Sequence, residues 1–210
     1  MNESQLTFTK RQFLKEQTPI VTDAALFAER HHVDQQRKVT GEPASIHLWS
    51  VGMILSLVTD NEKLIAAGFL HDTIEDCDSV TYMLLVRLFG RECADLVLAV
   101  TEKDRTLSWK MVKEQAMDEL WEMNQDEHLL KTADVISNLS DFVYEIETKG
   151  IASVIVHFNG NFIEYVKKYQ QQFVILVTLW PENPLLGKLQ VLVKRLEKLY
   201  VQESEVLGVI

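Results

Sequence analysis

Cysteine, proline and glycine are scarce in this chain: two, four and eight among 210 residues. Cys77 and Cys93 form no Cys-x-x-Cys pair and have no secretory context, which excludes a disulfide framework and leaves two reduced thiols. So few chain breakers allow long regular elements, and 47% apolar with 25% charged residues describes a folded chain rather than a disordered one. At this length folding buries roughly 70% of the extended chain's surface, so no staple is required. Missing too is an apolar run of the ~20 residues that span a bilayer. The most apolar stretch, FVILVTLW at 173–180, is stopped by Pro181, Glu182 and Pro184. The N-terminal stretch is polar and mixed in charge, without the apolar centre of a secretory leader. Basic excess is absent as well, and a formal charge of −10 argues against a nucleic-acid partner while permitting a small anion held by local cations. The reading is a cytoplasmic protein with neither membrane nor nucleic acid as partner.

Alternating apolar and polar runs are nearly absent, so the expected class is all-α, a helical bundle with a C-terminal helical hairpin. Helical spacing covers 23–38 with Asp23 as cap, 45–58, 61–74 with Asn61 as cap, 79–89, 91–103, and 108–123 with Ser108 as cap. A long helix follows over 127–150, closed by Gly150, and then a hairpin over 158–180 and 186–202. The expected division is a bundle domain at 1–150 and a helical extension at 151–210. In the last helix Leu189, Leu192, Val193, Leu196, Leu199 and Tyr200 form an apolar stripe that must be covered by this chain's own core or by a second subunit, a possible homodimer. Trp49, Trp109, Trp121 and Trp180 read as core residues, and His128 and His157 as surface ones.

Chemistry concentrates where an apolar run ends in His71-Asp72, followed by Glu75 and Asp76. An imidazole and an adjacent carboxylate can hold a divalent ion if neighbouring helices add another of each. His47 stands in the first turn of the preceding helix, and Asp134 interrupts the apolar segment LLKTADVISNL, where an isolated charge would be costly to bury. Asn138 lies four residues on, on the same helical face as Asp134. His47, His71, Asp72 and Asp134 suit a six-coordinate ion with waters in its open positions, Mn²⁺ best, with Fe²⁺ or Zn²⁺ as alternatives.

His47, HDTIED 24 residues later and then KTADVISN resemble, in order and spacing, the HD-domain metal phosphohydrolases. Within these, HVDQQRKVTGEP and LFGRECADLVLAVTE are similar to segments of the alarmone hydrolase branch, the hydrolase half of RelA/SpoT proteins and the small alarmone hydrolases. The likeness runs from about residue 22 to 150. It implies hydrolysis of guanosine 3′,5′-bis(diphosphate)-type alarmones with release of pyrophosphate from the 3′ position. Other implied readings are hydrolysis of a different nucleotide, or a nucleotide-binding regulator without turnover. It implies that His47, His71, Asp72 and Asp134 are metal ligands and that Glu75 and Asp76 orient or deprotonate the attacking water. Arg37 or Lys38 then contacts the nucleotide, as do Lys131 and Asn138. His32 falls on the branch's signature histidine, while Asp34, Ala44, Leu48 and Val135 depart from its usual residues.

Overall fold

A computed structural model describes residues 3–38, 40–102 and 107–206; for residues 3–8, 109, 113 and 203–206 it describes the backbone alone. Twelve helices follow one another among them: α1 (Glu3–Lys15), α2 (Pro19–His31), α3 (Ser45–Ser56), α4 (Glu62–Leu70), α5 (Thr73–Asp76) and α6 (Tyr82–Phe89). Then come α7 (Arg91–Val100), α8 (Trp109–Leu120), α9 (Gln125–Lys149), α10 (Ile151–Ile155), α11 (Phe162–Leu179) and α12 (Leu186–Val206). The described residues contain no strand, only an isolated bridge between Gln36 and Pro43. None of their helices is long and apolar enough to cross a membrane.

Helix α4 is the hub. Leu64 through Leu70 are all buried, and α2, α3, α7 and α9 pack around them. Its start is set by Asn61, whose side chain accepts from the backbone N–H of Lys63 and Leu64. Glycines let α3 come close to it. A Cβ on Gly68 would stand 2.5 Å from Leu55 Cδ1 and 3.2 Å from Gly52 Cα, and one on Gly52 would enter the Phe69 ring. That close crossing brings His47, near the start of α3, towards His71, just past the end of α4.

Helix α9 crosses both, entered through a reciprocal cap in which Asn124 and Glu127 bond each other's backbone N–H. Gly150, at φ 80°, ends it in a conformation that side chains disfavour. Beyond it the C-terminal helices lie against α9, and Leu189, Leu192, Val193 and Leu196 are buried in the same apolar cluster as the rest of the chain. The stripe on α12 is thus covered within the chain.

Several expectations need correction. Helix α2 starts at Pro19, with Thr18 at the cap position, so Asp23 sits inside it; proline suits a first turn, whose N–H has no helical partner. Helices α1 and α10 were not expected. His128 is buried, its Nε2–H donating to the Leu120 carbonyl, and Trp121 is 54% exposed. His157 is exposed and Trp49 buried, as read, while Trp180 is partly buried against the core. Residue 103 and the Trp109 side chain lie outside what is described.

Candidate metal centre

The helix crossings bring four side chains to one point. His47 Nε2 and His71 Nε2 are 3.0 Å apart, His71 Nε2 is 3.0 Å from Asp72 Oδ1, and His47 Nε2 is 3.6 Å from Asp72 Oδ2. Asp134 Oδ1 lies 3.3 Å from His47 Nε2 and 3.8 Å from His71 Nε2. Adjacent ligands at ~2.1 Å in an octahedron stand about 3.0 Å apart, so these spacings fit donors around one divalent ion. His47, His71 and Asp72 in particular each offer an atom within a sphere that an ion could share.

Each imidazole is held from behind. His71 Nδ1–H donates to the Gly68 carbonyl, and His47 Nδ1 meets Ser137 Oγ, both at 2.9 Å. The opposite nitrogens therefore face the common point, the arrangement that usually orients metal-binding histidines. Lys131 Nζ and Asn138 Nδ2 both donate to Asp134, at 2.9 and 2.6 Å. Without an ion, burial would lower the pKa of His71, but the carboxylates of Asp72 and Asp134 outweigh it and raise the value to about 9. Burial pushes Asp72 the other way, and the two imidazoles overcome it to bring that carboxyl to about 2. Asp134 is held well below the ordinary carboxylate range, burial being outweighed by Lys131 and the histidines. So strong a pull between buried groups marks a site that gathers charge.

The centre borders a cleft of about 550 Å³. Glu75 and Asp76, on the single turn of α5, line it next to Asp72. Glu75 Oε2 accepts the Glu102 backbone N–H, and burial raises its carboxyl above the ordinary glutamate value despite that bond. Asp76 is steadied through its carbonyl by the Gln35 amide. Arg37 reaches across to Asn138 Oδ1 and Asp141 Oδ2, at 2.9 Å each, so that Arg37, Asn138 and Asp134 form one chain of hydrogen bonds. Lys38 lines the cleft. Lys131 does not: it is bound to Asp134 and faces a narrower adjoining chamber.

Asp141, Ser137 and the side chains of α11 are not among the expected site residues, although the helix itself is an expected element. From α11, Tyr165, Lys168 and Tyr169 line the cleft, with Phe142 and Phe158 completing an aromatic wall whose neighbouring rings lie 5.1 to 6.2 Å apart. The Lys168 ammonium sits 4.7 Å from the Tyr169 ring centroid. Tyrosine and lysine at i, i+3 and i+4 on a capped helix form a polar stripe, and that was the available signal. His32, which falls on the branch's signature histidine, is buried against Cys77 and donates to the Ala28 carbonyl.

A family model described as an HD domain matches residues 24–148, and the chain belongs to that family. Among curated relatives it is 34% identical over 128 residues to the guanosine-3′,5′-bis(diphosphate) 3′-pyrophosphohydrolase MESH1 of Danio rerio, covering 59% of this chain and 69% of that protein. A Mycoplasma pneumoniae protein, named "Probable guanosine-3′,5′-bis(diphosphate) 3′-pyrophosphohydrolase", is 31% identical over 149 residues, 65% of this chain and 20% of its own length. The chain spans a fifth or less of the length of the first curated relatives it matches. A solved metazoan orthologue of SpoT, described as hydrolysing ppGpp, shares the fold with a TM-score of 0.70 at 22% identity, over 89% of this chain and 97% of that one.

Proposed function

We propose that this chain is a metal-dependent phosphohydrolase that removes pyrophosphate from the 3′ position of guanosine 3′,5′-bis(diphosphate)-type alarmones in the cytoplasm. The observation that carries the reading is the convergence of His47, His71, Asp72 and Asp134 beside an acidic pair in a nucleotide-sized cleft. The named activity of the relatives supports the choice of substrate.

His47, His71, Asp72 and Asp134 hold the ion, for which Mn²⁺ is our choice. A divalent cation, when bound, acidifies water and offsets charge developing on phosphate oxygens, so a chain of net charge −10 can accept so anionic a substrate. Glu75, with its carboxyl above the ordinary range, takes the proton of the attacking water, and Asp76 orients that water. The new oxygen–phosphorus bond forms as the bond from phosphorus to the ribose 3′ oxygen breaks; that oxygen takes a proton, and pyrophosphate leaves. Arg37 and Lys38 face the nucleotide. Asn138 steadies Arg37 and Asp134 together, and Lys131 acts through Asp134.

A turnover panel of guanosine and adenosine polyphosphates with Mn²⁺ tests the reading. Pyrophosphate release from the 3′-diphosphates of guanosine is expected. Release from none of them, or equal release from other nucleotides, would overturn the substrate assignment.

A further inference from the structure

Two cavities flank the four converging side chains. The wide cleft meets His47 and Asp76, whereas an adjoining narrow chamber of about 170 Å³ meets His71 and Asp134; Asp72, Glu75, Glu102, Asn138, Lys168 and Tyr169 line both. The chamber is too small for a nucleotide, whose pockets run to roughly 300 Å³ and more. At about 30 Å³ for each molecule it holds on the order of five waters.

Its far wall carries an unusual group. Gln172, projecting from α11, is 3% exposed, and its Oε1 has no hydrogen-bond partner among the described residues. A buried amide carbonyl without a partner is costly, and native structures answer such groups with a protein donor or an ordered water. Lys131 is near, but its ammonium is committed to Asp134. Charges of both signs line the chamber, Lys131 and Lys168 among Glu75, Glu119 and Asp134, so neither sign dominates it, and among the described residues the donors that converge on a cation are those of the centre itself. Water is the ligand that fits its size and its lining.

We propose that this chamber is the water entrance of the active site and that Gln172 is a positioning residue that orders the water next to Glu75. The inference rests on the hydrolytic reading above. In-line displacement at phosphorus puts the nucleophile opposite the leaving group. A nucleotide filling the wide cleft displaces water there, while the chamber, which Glu75 also lines, is too small to admit it and keeps its water. The buried amide of α11 then has a use.

Gln172→Met keeps the length of the side chain and removes its hydrogen bonding, while Gln172→Glu keeps an acceptor oxygen. With Mn²⁺ and guanosine 3′,5′-bis(diphosphate), Gln172→Met is expected to lower kcat by about tenfold, the scale of a lost water-mediated bond, with KM and Mn²⁺ affinity within twofold of the unaltered chain. Gln172→Glu should recover part of the loss. A crystal structure of the substrate-free protein should show ordered water within hydrogen-bond distance of Gln172 Oε1, and the metal-free Tm of Gln172→Met should not rise. A dry amide, an anion bound in the chamber, or a raised Tm with kcat unchanged overturns the proposal, as does unchanged kcat with water present. An unaltered chain that releases no pyrophosphate refutes the hydrolytic reading instead, and the density at Gln172 alone then decides whether the chamber holds water.

Discussion

Two imidazole nitrogens 3.0 Å apart, each with its other nitrogen anchored, leave no room for a proton on both facing atoms; a shared cation is the partner that suits them and the two carboxylates together. Replacing Asp72 or Asp134 with Ala should therefore weaken Mn²⁺ binding by more than about 10- to 100-fold, the scale of losing a mere outer partner of a ligand, read by titration calorimetry. Normal affinity in both variants would remove them from the ligand set. Glu75→Gln and Asp76→Asn separate chemistry from binding. Metal content should stay near that of the unaltered chain while turnover falls by roughly 10² or more. Metal lost along with turnover would make these acids ligands. The cysteines are the contrast. Burial, with Asp76 beside it, raises the Cys77 thiol to about 11, and burial raises Cys93 to about 12. A group lifted that far is protonated well above neutrality, with only about 10⁻³ of Cys77 as thiolate at pH 8. Iodoacetamide at pH 8 should label neither thiol in the folded protein on a timescale that labels both in denaturant, and fast labelling of Cys77 would contradict the burial described.

Helix packing sets the distances on which that chemistry depends. Gly68→Ala should gain up to about 1 kcal/mol in helix propensity, yet its Cβ would meet Leu55 Cδ1 at 2.5 Å and Gly52 Cα at 3.2 Å. Overpacking of that kind costs about 1–3 kcal/mol, so the net effect is destabilising, and the spread of α3 from α4 should also weaken Mn²⁺ binding. Chemical denaturation and metal titration check both; a more stable variant with normal affinity would show that the close crossing does not set the site. At the other end of the chain, Leu192 and Leu196 are buried on α12 among residues of the same core. Leu192→Glu with Leu196→Glu buries two carboxylates without partners and should unfold or aggregate the protein, since each costs on the order of several kcal/mol. A folded, active variant would mean that residues 151–210 are dispensable to the core, and would favour reading them as a separate extension.

Across the whole molecule, legibility followed the range of the interactions. Helical spacing and caps such as Asn61 and Ser108 are local, so most elements could be read directly, and Asp134 could be picked out because a charge inside an apolar run needs a partner. What escaped depends on distant packing. Ser137 behind His47 and Asp141 beside Arg37 become meaningful only once α9 crosses α3, and Lys168, Tyr169 and Gln172 reach the site only because α11 folds back over it. His128 looked like a surface residue because its partner is a backbone carbonyl, which no side-chain pattern reveals. The same long-range assembly makes the centre testable as a unit. The most direct measurement is pyrophosphate release from guanosine 3′,5′-bis(diphosphate) by chelator-stripped protein, before and after adding Mn²⁺. No release is expected in excess chelator, with recovery on adding Mn²⁺ in proportion to metal bound; full activity in excess chelator would rule out a metal-dependent reaction.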